Sequence, residues 1–398
     1  MHIGWDWASE AHDITVIDDA GVIIDRWAPT HDEAGIAMSL RRLGGHGEPA
    51  ELAVAIEATR SVVIDRLLQA GHPVVPIHPN AFHVTRPRWG ASKAKSDPGD
   101  SFKLADYLRT DGHRLRRLEP LDAHTAALQA LVRARDGHIT DKVGATNQLR
   151  ALLNRHWPGA TTIFARLDSD IALAFLNDYP TPTSAARLGE ARMAMFCRRH
   201  SYSGRRSPAE LIARLRSAPE PTGSIDDDIL TRLVRTQTRL LHSLLSIIAE
   251  LDQAIAATLG EHPKAHLLAP MPRIGETNLA QIIAEIGPIL DRAIDAEHAC
   301  AEAGVAPITR SSGKHTSVSF RWAVNTRARN ALTTFADNSR HANPWAAQHY
   351  ANARARGKRH PTAIRILARA WLRVIWACWH TNTPYNPAQH HTNQHNAA

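Results

Sequence analysis

ELAVAIE, residues 51–57, is a near-continuous apolar run closed by an acid. Such runs suit a central strand buried on both faces. Upstream, HIGWD (2–6) reads as a short buried strand that also ends in an acid. DITVID (13–18) reads as a second strand. Asp19, Ala20 and Gly21 make a turn, and VIID (22–25) returns as a third, giving a β-meander. Residues 31–43 look helical, with Ile36, Met38, Leu40 and Leu43 on or near one face. Downstream, SVVIDRLLQA (61–70) is a helix stopped by Gly71, and PVVPI (73–77) is another strand.

The order β-β-β-α-β-α-β predicts a mixed sheet flanked by helices, the order of the RNase H-like fold. Open α/β sheets bind ligands at the strand C-termini, where Asp6 and Glu57 fall. A further helix opens in KAKSDPGDSFKLADYLR (93–109), with Asp97 and Asp100 three residues apart on one face and Pro98 suited to the first turn. By themselves these two read as an N-cap and a capping-box acid. Asp6 and Glu57 alone read as a solvated strand end and a cap. Four carboxylates gathered without a cation would repel one another. Asp6, Glu57, Asp97 and Asp100 therefore suggest a site for Mg²⁺ or Mn²⁺, which prefer carboxylate oxygens and support phosphoryl transfer in pairs.

The 398 residues allow two or three domains. No run of about 18 apolar residues is present, so no membrane span is expected. MHIGWDWASE lacks a signal-peptide pattern. Cys197, Cys300 and Cys378 fit no zinc spacing, and a reducing cytoplasm is the expected setting. The net charge is +8, but residues 301–380 hold thirteen Lys or Arg against Glu302 and Asp337. A block of one sign suggests a polyanionic partner, nucleic acid first; the alternative is a solubilising surface, which usually mixes both signs.

Residues 119–157 carry Leu128, Leu131, Val132, Ile139, Val143, Leu149, Leu152, Leu153 and Trp157 at helical spacing. Residues 160–223 are less regular, with short helices expected near 167–178, 184–199 and 207–217. A second long helix starts near Ser224, where Ser224 and Asp227 make a capping box. The two long helices read as a coiled-coil spacer or an ordinary bundle. LLAPMPRIGETNLAQIIAEIG (267–287) resembles a helix-hairpin-helix, with Arg273, Ile274 and Gly275 as the turn and a helix N-terminus able to meet a phosphate. Ser311, Ser312, Gly313 and Lys314 read as a flexible basic loop, followed by Arg321, Arg327 and Arg329. A serine among cations can act as a nucleophile or merely bind phosphate. Arg356 and Lys358 precede a final helix striped by Arg365, Arg369 and Arg373. The tail, 381–398, with His390, His391 and His395, is expected to be disordered.

These pieces together resemble the DEDD transposases of bacterial insertion sequences. The matching segments are HIGWD, AVAIEAT, AKSDPGD, AGVAP…SSG, NTRAR and ARGK. Three positions depart from the family pattern. Arg273 stands where the hairpin has glycine, Val324 replaces the glycine before Asn325, and Ser101 replaces the alanine after the second aspartate. The resemblance implies a RuvC-like domain (1–118), a helical coiled-coil spacer (119–262) and a mostly helical serine transposase domain (263–380). It implies catalysis by a metal-bound tetrad of Asp6, Glu57, Asp97 and Asp100. Ser312 is then the nucleophile that joins covalently to DNA, with Ser311 a possible stand-in. Donor and target DNA, a structured noncoding guide (bridge) RNA and a homodimer assembling to a tetramer are the implied partners. Arg273, Gly275, Lys314, Arg321, Arg327, Arg329, Arg356, Lys358, Arg365 and Arg369 are the candidate nucleic-acid contacts. Competing readings are a junction-resolving nuclease, which needs the acids but no serine, and a non-catalytic nucleic-acid-binding protein. A sugar-kinase-like ATPase is disfavoured because no Gly-rich loop follows the first strand.

Overall fold

A computed structural model describes residues 1–58, 61–89, 97–220, 225–313, 315–321 and 324–388. Within these, the side chains of Asp97 and His315 lie outside the description. The chain divides into two compact units, Met1–Pro120 and Leu121–Ala398.

The first unit is built on β1 (His2–Asp6), β2 (Asp13–Ile17), β3 (Ile23–Trp27), α1 (Glu33–Gly44), β4 (Ala53–Ile56), α2 (Val62–Gln69), β5 (Val74–Pro76), α3 (Pro79–Thr85) and α4 (Asp97–Asp111). The sheet order is β3-β2-β1-β4-β5, antiparallel through β3-β2-β1 and parallel through β1-β4-β5. The apolar run is thus an interior strand: Val54, Ala55 and Ile56 are fully buried. Ile3 and Trp5 point to one side of β1, into a core with Ile64 and Leu67 of α2. On the other side α4 lies directly on Gly4. A Cβ there would stand 1.9 Å from the Ser101 carbonyl oxygen and 2.5 Å from the Ala105 nitrogen, so only glycine permits the contact. Ser101, the departure from the family's alanine, is fully buried and its hydroxyl bonds Thr15 Oγ1 at 2.7 Å. A buried hydroxyl is tolerated because it has that partner.

The second unit contains α5 (Ala123–His156), α6 (Asp170–Asp178), α7 (Pro182–Ala185), α8 (Glu190–Arg199), α9 (Pro208–Arg216), α10 (Asp227–Glu261), α11 (Ala265–Leu268), α12 (Glu276–Arg292), α13 (Ala296–Glu302), β6 (Pro307–Ser312), β7 (His315–Phe320), α14 (Thr326–Ser339), α15 (Pro344–Ala355) and α16 (His360–Thr381). The two long helices pair antiparallel. Thr125 meets His262, Arg135 meets Asp252 and Gln148 meets Gln237, so one number rises as the other falls. By length and composition α10 could also cross a bilayer. Here one of its faces packs on α5, and Arg135 Nε holds the Asp252 carboxylate at 2.5 Å. The irregular insertion folds as α6 to α9 around a core of Phe164, Phe175 and Phe196. The remaining helices surround α12, whose apolar residues are almost all buried.

Three expectations need correction. Ser224 lies outside the described residues, and α10 is capped by Asp226, whose carboxylate accepts from the Asp228 and Ile229 backbone N–H groups. The Ser311–Ser312 segment is not a loop: both belong to β6, which pairs antiparallel with β7. The tail does not begin at residue 381. Tyr385 is buried, its backbone N–H donates to the Leu267 carbonyl, and its hydroxyl accepts from Asn343. His390, His391 and His395 lie outside the described residues.

Candidate functional site

In the first unit the site follows from strand alternation. Trp5 pairs with Ile56 across the parallel strands, so Asp6 and Glu57 are next in register at the two C-terminal ends. Asp6 shares its face with Gly4, and Glu57 shares its face with Ala55, because side chains alternate along a strand. Gly4 meets α4, and Ala55 packs with Leu104 and Leu108. Both acids therefore lie on the α4 side of the sheet. The direction of α4 completes the placement. Its end reaches the turn after β2, where Arg109 donates to the Asp19 carbonyl beside His2. Its start, with Asp97 and Asp100, consequently lies toward the C-terminal ends of β1 and β4.

Asp100 is only 2% exposed. One carboxylate oxygen accepts from Arg86 Nη2 at 2.8 Å and the other from Lys103 Nζ at 2.9 Å. A buried carboxylate needs such compensation. Residues 86–89 are pinned to α4 in the same way by Trp89 on Asp106 and Arg88 on Asp111. Lys103 is three residues from Asp100 and could have been read from helical spacing; Arg86 comes from a separate segment and carried no sequence signal. Among the described residues, no three His, Cys, Asp or Glu side chains close on a common metal position. The donor set is all carboxylate and suits a hard divalent cation in kind. Asp100 would have to exchange Arg86 and Lys103 for such an ion.

Elsewhere in the first unit, His12 is buried edge-on to Trp5 and hydrogen-bonded to His31 at 2.9 Å. Burial first, then the neighbouring His31, lower its pKa from 6.5 to about 4. Between these values the unfolded chain takes the proton and the folded chain does not. The stabilisation is complete above pH 6.5 and is lost as pH falls toward 4. The loss should reach about 3 kcal/mol. His12→Gln should flatten stability over that window, as read by denaturant unfolding at successive pH values.

In the second unit, Ser312 is exposed at the end of β6 and pairs in register with His315. Gly313 turns the chain with φ +56°. Ser311 Oγ lies 3.3 Å from Thr316 Oγ1. The ribbon buries little of itself; Val318 is 67% exposed. Its root is held where Phe320 lies under the Arg365 guanidinium, 4.8 Å from the ring centroid, and where Arg329 donates to the Arg321 carbonyl. Lys314 lies outside the described residues. Asn325 caps α14, and its amide donates to Glu285, a buried acid also gripped by Arg133 at 2.5 and 2.8 Å. Val324 packs against Gly304, where a Cβ would stand 2.7 Å from it. Arg327 and Arg356 are exposed, as is Lys358, whose carbonyl accepts from Arg354. Arg369 and Arg373 both pair with Glu297.

Arg273 adopts φ +55° in the turn before α12, and Gly275 is the N-cap. This left-handed conformation costs a side-chain-bearing residue about 1–2 kcal/mol, part of which glycine's greater freedom when unfolded would offset. Arg273→Gly should therefore raise stability by up to about 1 kcal/mol. A lower melting temperature for that variant would show that the Arg273 side chain contributes more than its backbone costs.

Acids gathered at strand ends in one unit and a cation-rich surface on the other mark a protein that acts on nucleic acid. Sequence comparisons narrow this class. A DEDD transposase family model of the IS110 type matches residues 3–158, and a model described as transposase of the IS116/IS110/IS902 family matches residues 265–351. The mini-circle putative transposase for IS117 of Streptomyces coelicolor is 32% identical over 96% of this chain and 94% of its own length. A putative transposase, y4uE, of Sinorhizobium fredii is 31% identical over 50% of this chain and 56% of its own length. A 42 kDa protein of insertion element IS900 from Mycobacterium paratuberculosis is 25% identical over 97% of both chains. The chain belongs to the IS110-type DEDD transposases of insertion sequences, enzymes that act on DNA.

Proposed function

We propose that this transposase cuts and rejoins DNA with two groups of residues. The first is a metal-binding tetrad of Asp6, Glu57, Asp97 and Asp100 on an RNase H-like unit; the second is the Ser312 nucleophile. The reading rests on the register adjacency of Asp6 and Glu57 beneath the first turn of α4. Bound Mg²⁺ or Mn²⁺ would neutralise charge at the scissile phosphate and polarise the attacking oxygen. Asp6, Glu57, Asp97 and Asp100 would hold it, while Arg86 and Lys103 keep Asp100 oriented and neutralised before it binds. At the serine, the Oγ proton is lost, an Oγ–phosphorus bond forms and one sugar oxygen leaves as a hydroxyl. Attack by a hydroxyl of the second DNA reverses the step and rejoins the strand.

Arg273, Gly275, Lys314, Arg321, Arg327, Arg329, Arg356, Lys358 and Arg365 supply the nucleic-acid contacts in this reading, without Arg369. The family resemblance and the cationic C-terminal segment support guidance by a structured noncoding RNA. Self-association is supported by α10, where Ile229, Leu233, Leu240 and Ile247 are exposed at steps of four and seven. That spacing suits a coiled-coil seam with a second copy, on the way to a tetramer. The enzyme would work in the cytoplasm, at the nucleoid. The test is to incubate the protein with Mg²⁺ and DNA carrying element ends, then denature. A DNA adduct that survives denaturation is expected. Free hydrolysed ends without an adduct would instead identify a junction-resolving nuclease.

A further inference from the structure

We propose that the cleft between α14 and the start of α16 binds a backbone phosphate of the DNA strand presented to the Ser312 hairpin. The inference rests on the reading of that hairpin as the DNA-joining element and adds to it a specific anion subsite.

The cleft measures about 410 Å³ and is lined by Arg329, Asn330, Thr333, Asn338, His360 and Arg365 among others. That volume falls within the range of small-ligand sites. Two guanidiniums face it from different helices. Along α16 the arginines divide sharply. Arg369 and Arg373 are both spent on Glu297. Arg365, one turn earlier, has an aromatic ring beneath it and no carboxylate partner among the described residues. Among the described residues, the hydrogen-bond partner of Arg329 is the Arg321 carbonyl. Among the described lining residues the one acid, Asp337, is bound to Arg340 Nε at 2.7 Å.

Partly buried like charges repel, and an anion between them removes the penalty. Burial first, then Arg329, hold the Arg365 pKa below the usual arginine value. The N-terminus of the 22-residue α16 opens at the same place, and its N-cap Arg359 supplies no side-chain cap. The positive end of its dipole favours an anion further. Guanidinium, hydroxyl and amide donors together describe a phosphate site rather than an apolar one. The link to the hairpin is direct. Arg365 braces Phe320 at the end of β7, and Arg329 bonds the next residue. A strand held in the cleft is therefore held at the root of the ribbon that carries Ser312.

The experiment uses the full chain with Arg329→Gln and Arg365→Gln combined. Binding of a labelled DNA duplex and of an RNA hairpin is followed by anisotropy between about 0.05 and 0.3 M salt. Losing one phosphate contact should make the slope of log affinity against log salt shallower by about 1 for DNA, roughly a tenfold loss near 0.1 M. Arg329→Lys with Arg365→Lys should keep most of the slope, since the charge remains. Arg41→Gln with Arg155→Gln removes the same net charge from exposed positions elsewhere and should change the slope little. An unchanged DNA slope, a loss confined to the RNA probe, or an equal loss in the Arg41/Arg155 control would overturn the inference. The readout is binding alone, so it remains decisive even if no covalent adduct forms and the serine reading fails.

Discussion

Replacing Ser312 with alanine is expected to abolish the covalent protein–DNA adduct and to lower strand exchange by at least about 10⁴-fold. The size of the effect follows from the role. A nucleophile that forms the bond to phosphorus has no substitute once its oxygen is gone. Ser311 is a poor stand-in because alternate residues of a strand face opposite sides of the ribbon. Its hydroxyl also lies within reach of Thr316 Oγ1. Ser311→Ala should accordingly retain the adduct. Ser312 is exposed, so its loss should shift stability by no more than about 0.5 kcal/mol. Duplex binding should persist as well. Normal recombination by the Ser312→Ala enzyme would remove the serine from the mechanism. An adduct lost only in Ser311→Ala would transfer the role to its neighbour.

Asp100→Asn should reduce DNA cleavage in Mg²⁺ by about 10³-fold, equivalent to some 4 kcal/mol of transition-state stabilisation. The two substitutions should differ in their effect on stability. Asp100 is buried, and both its oxygens carry cations, Arg86 and Lys103. The neutral amide keeps the shape but leaves two positive groups without their anion. A stability loss of about 1–3 kcal/mol should therefore accompany the loss of activity. Asp6→Ala, at a less buried strand end, should lose cleavage with a smaller loss of stability. The two effects can be separated with Arg86→Gln. If Asp100 matters only as a structural partner of that arginine, Arg86→Gln will destabilise the enzyme as Asp100→Asn does. It will then leave cleavage per folded molecule intact, and so will Asp100→Asn. Cleavage lost per folded molecule in Asp100→Asn marks the carboxylate as part of the reacting centre.

Much of this protein was legible in its sequence because the signals are local. An apolar run such as 51–57 suits an interior strand, and Gly71 ends the helix before it can run further. The order of strands and helices already placed Asp6 and Glu57 at strand C-termini. The family membership was equally readable, because its motifs are short contiguous segments. The β-ribbon around Ser312 was misread as a loop. Its Thr, Ser and Arg residues bury almost nothing, so no alternation of apolar and polar residues announces it. The Ser224 cap was likewise misassigned because three acids, Asp226 to Asp228, compete for one helix start.

Long-range contacts were decided only in three dimensions. Sequence could list Asp100, but not that Arg86, fourteen residues away across another segment, would neutralise it. It could list a stripe of arginines on α16, but not which were spent on Glu297 and which were left facing a cleft. Charge type is a property of the residue. Whether that charge is satisfied depends on which distant elements pack beside it.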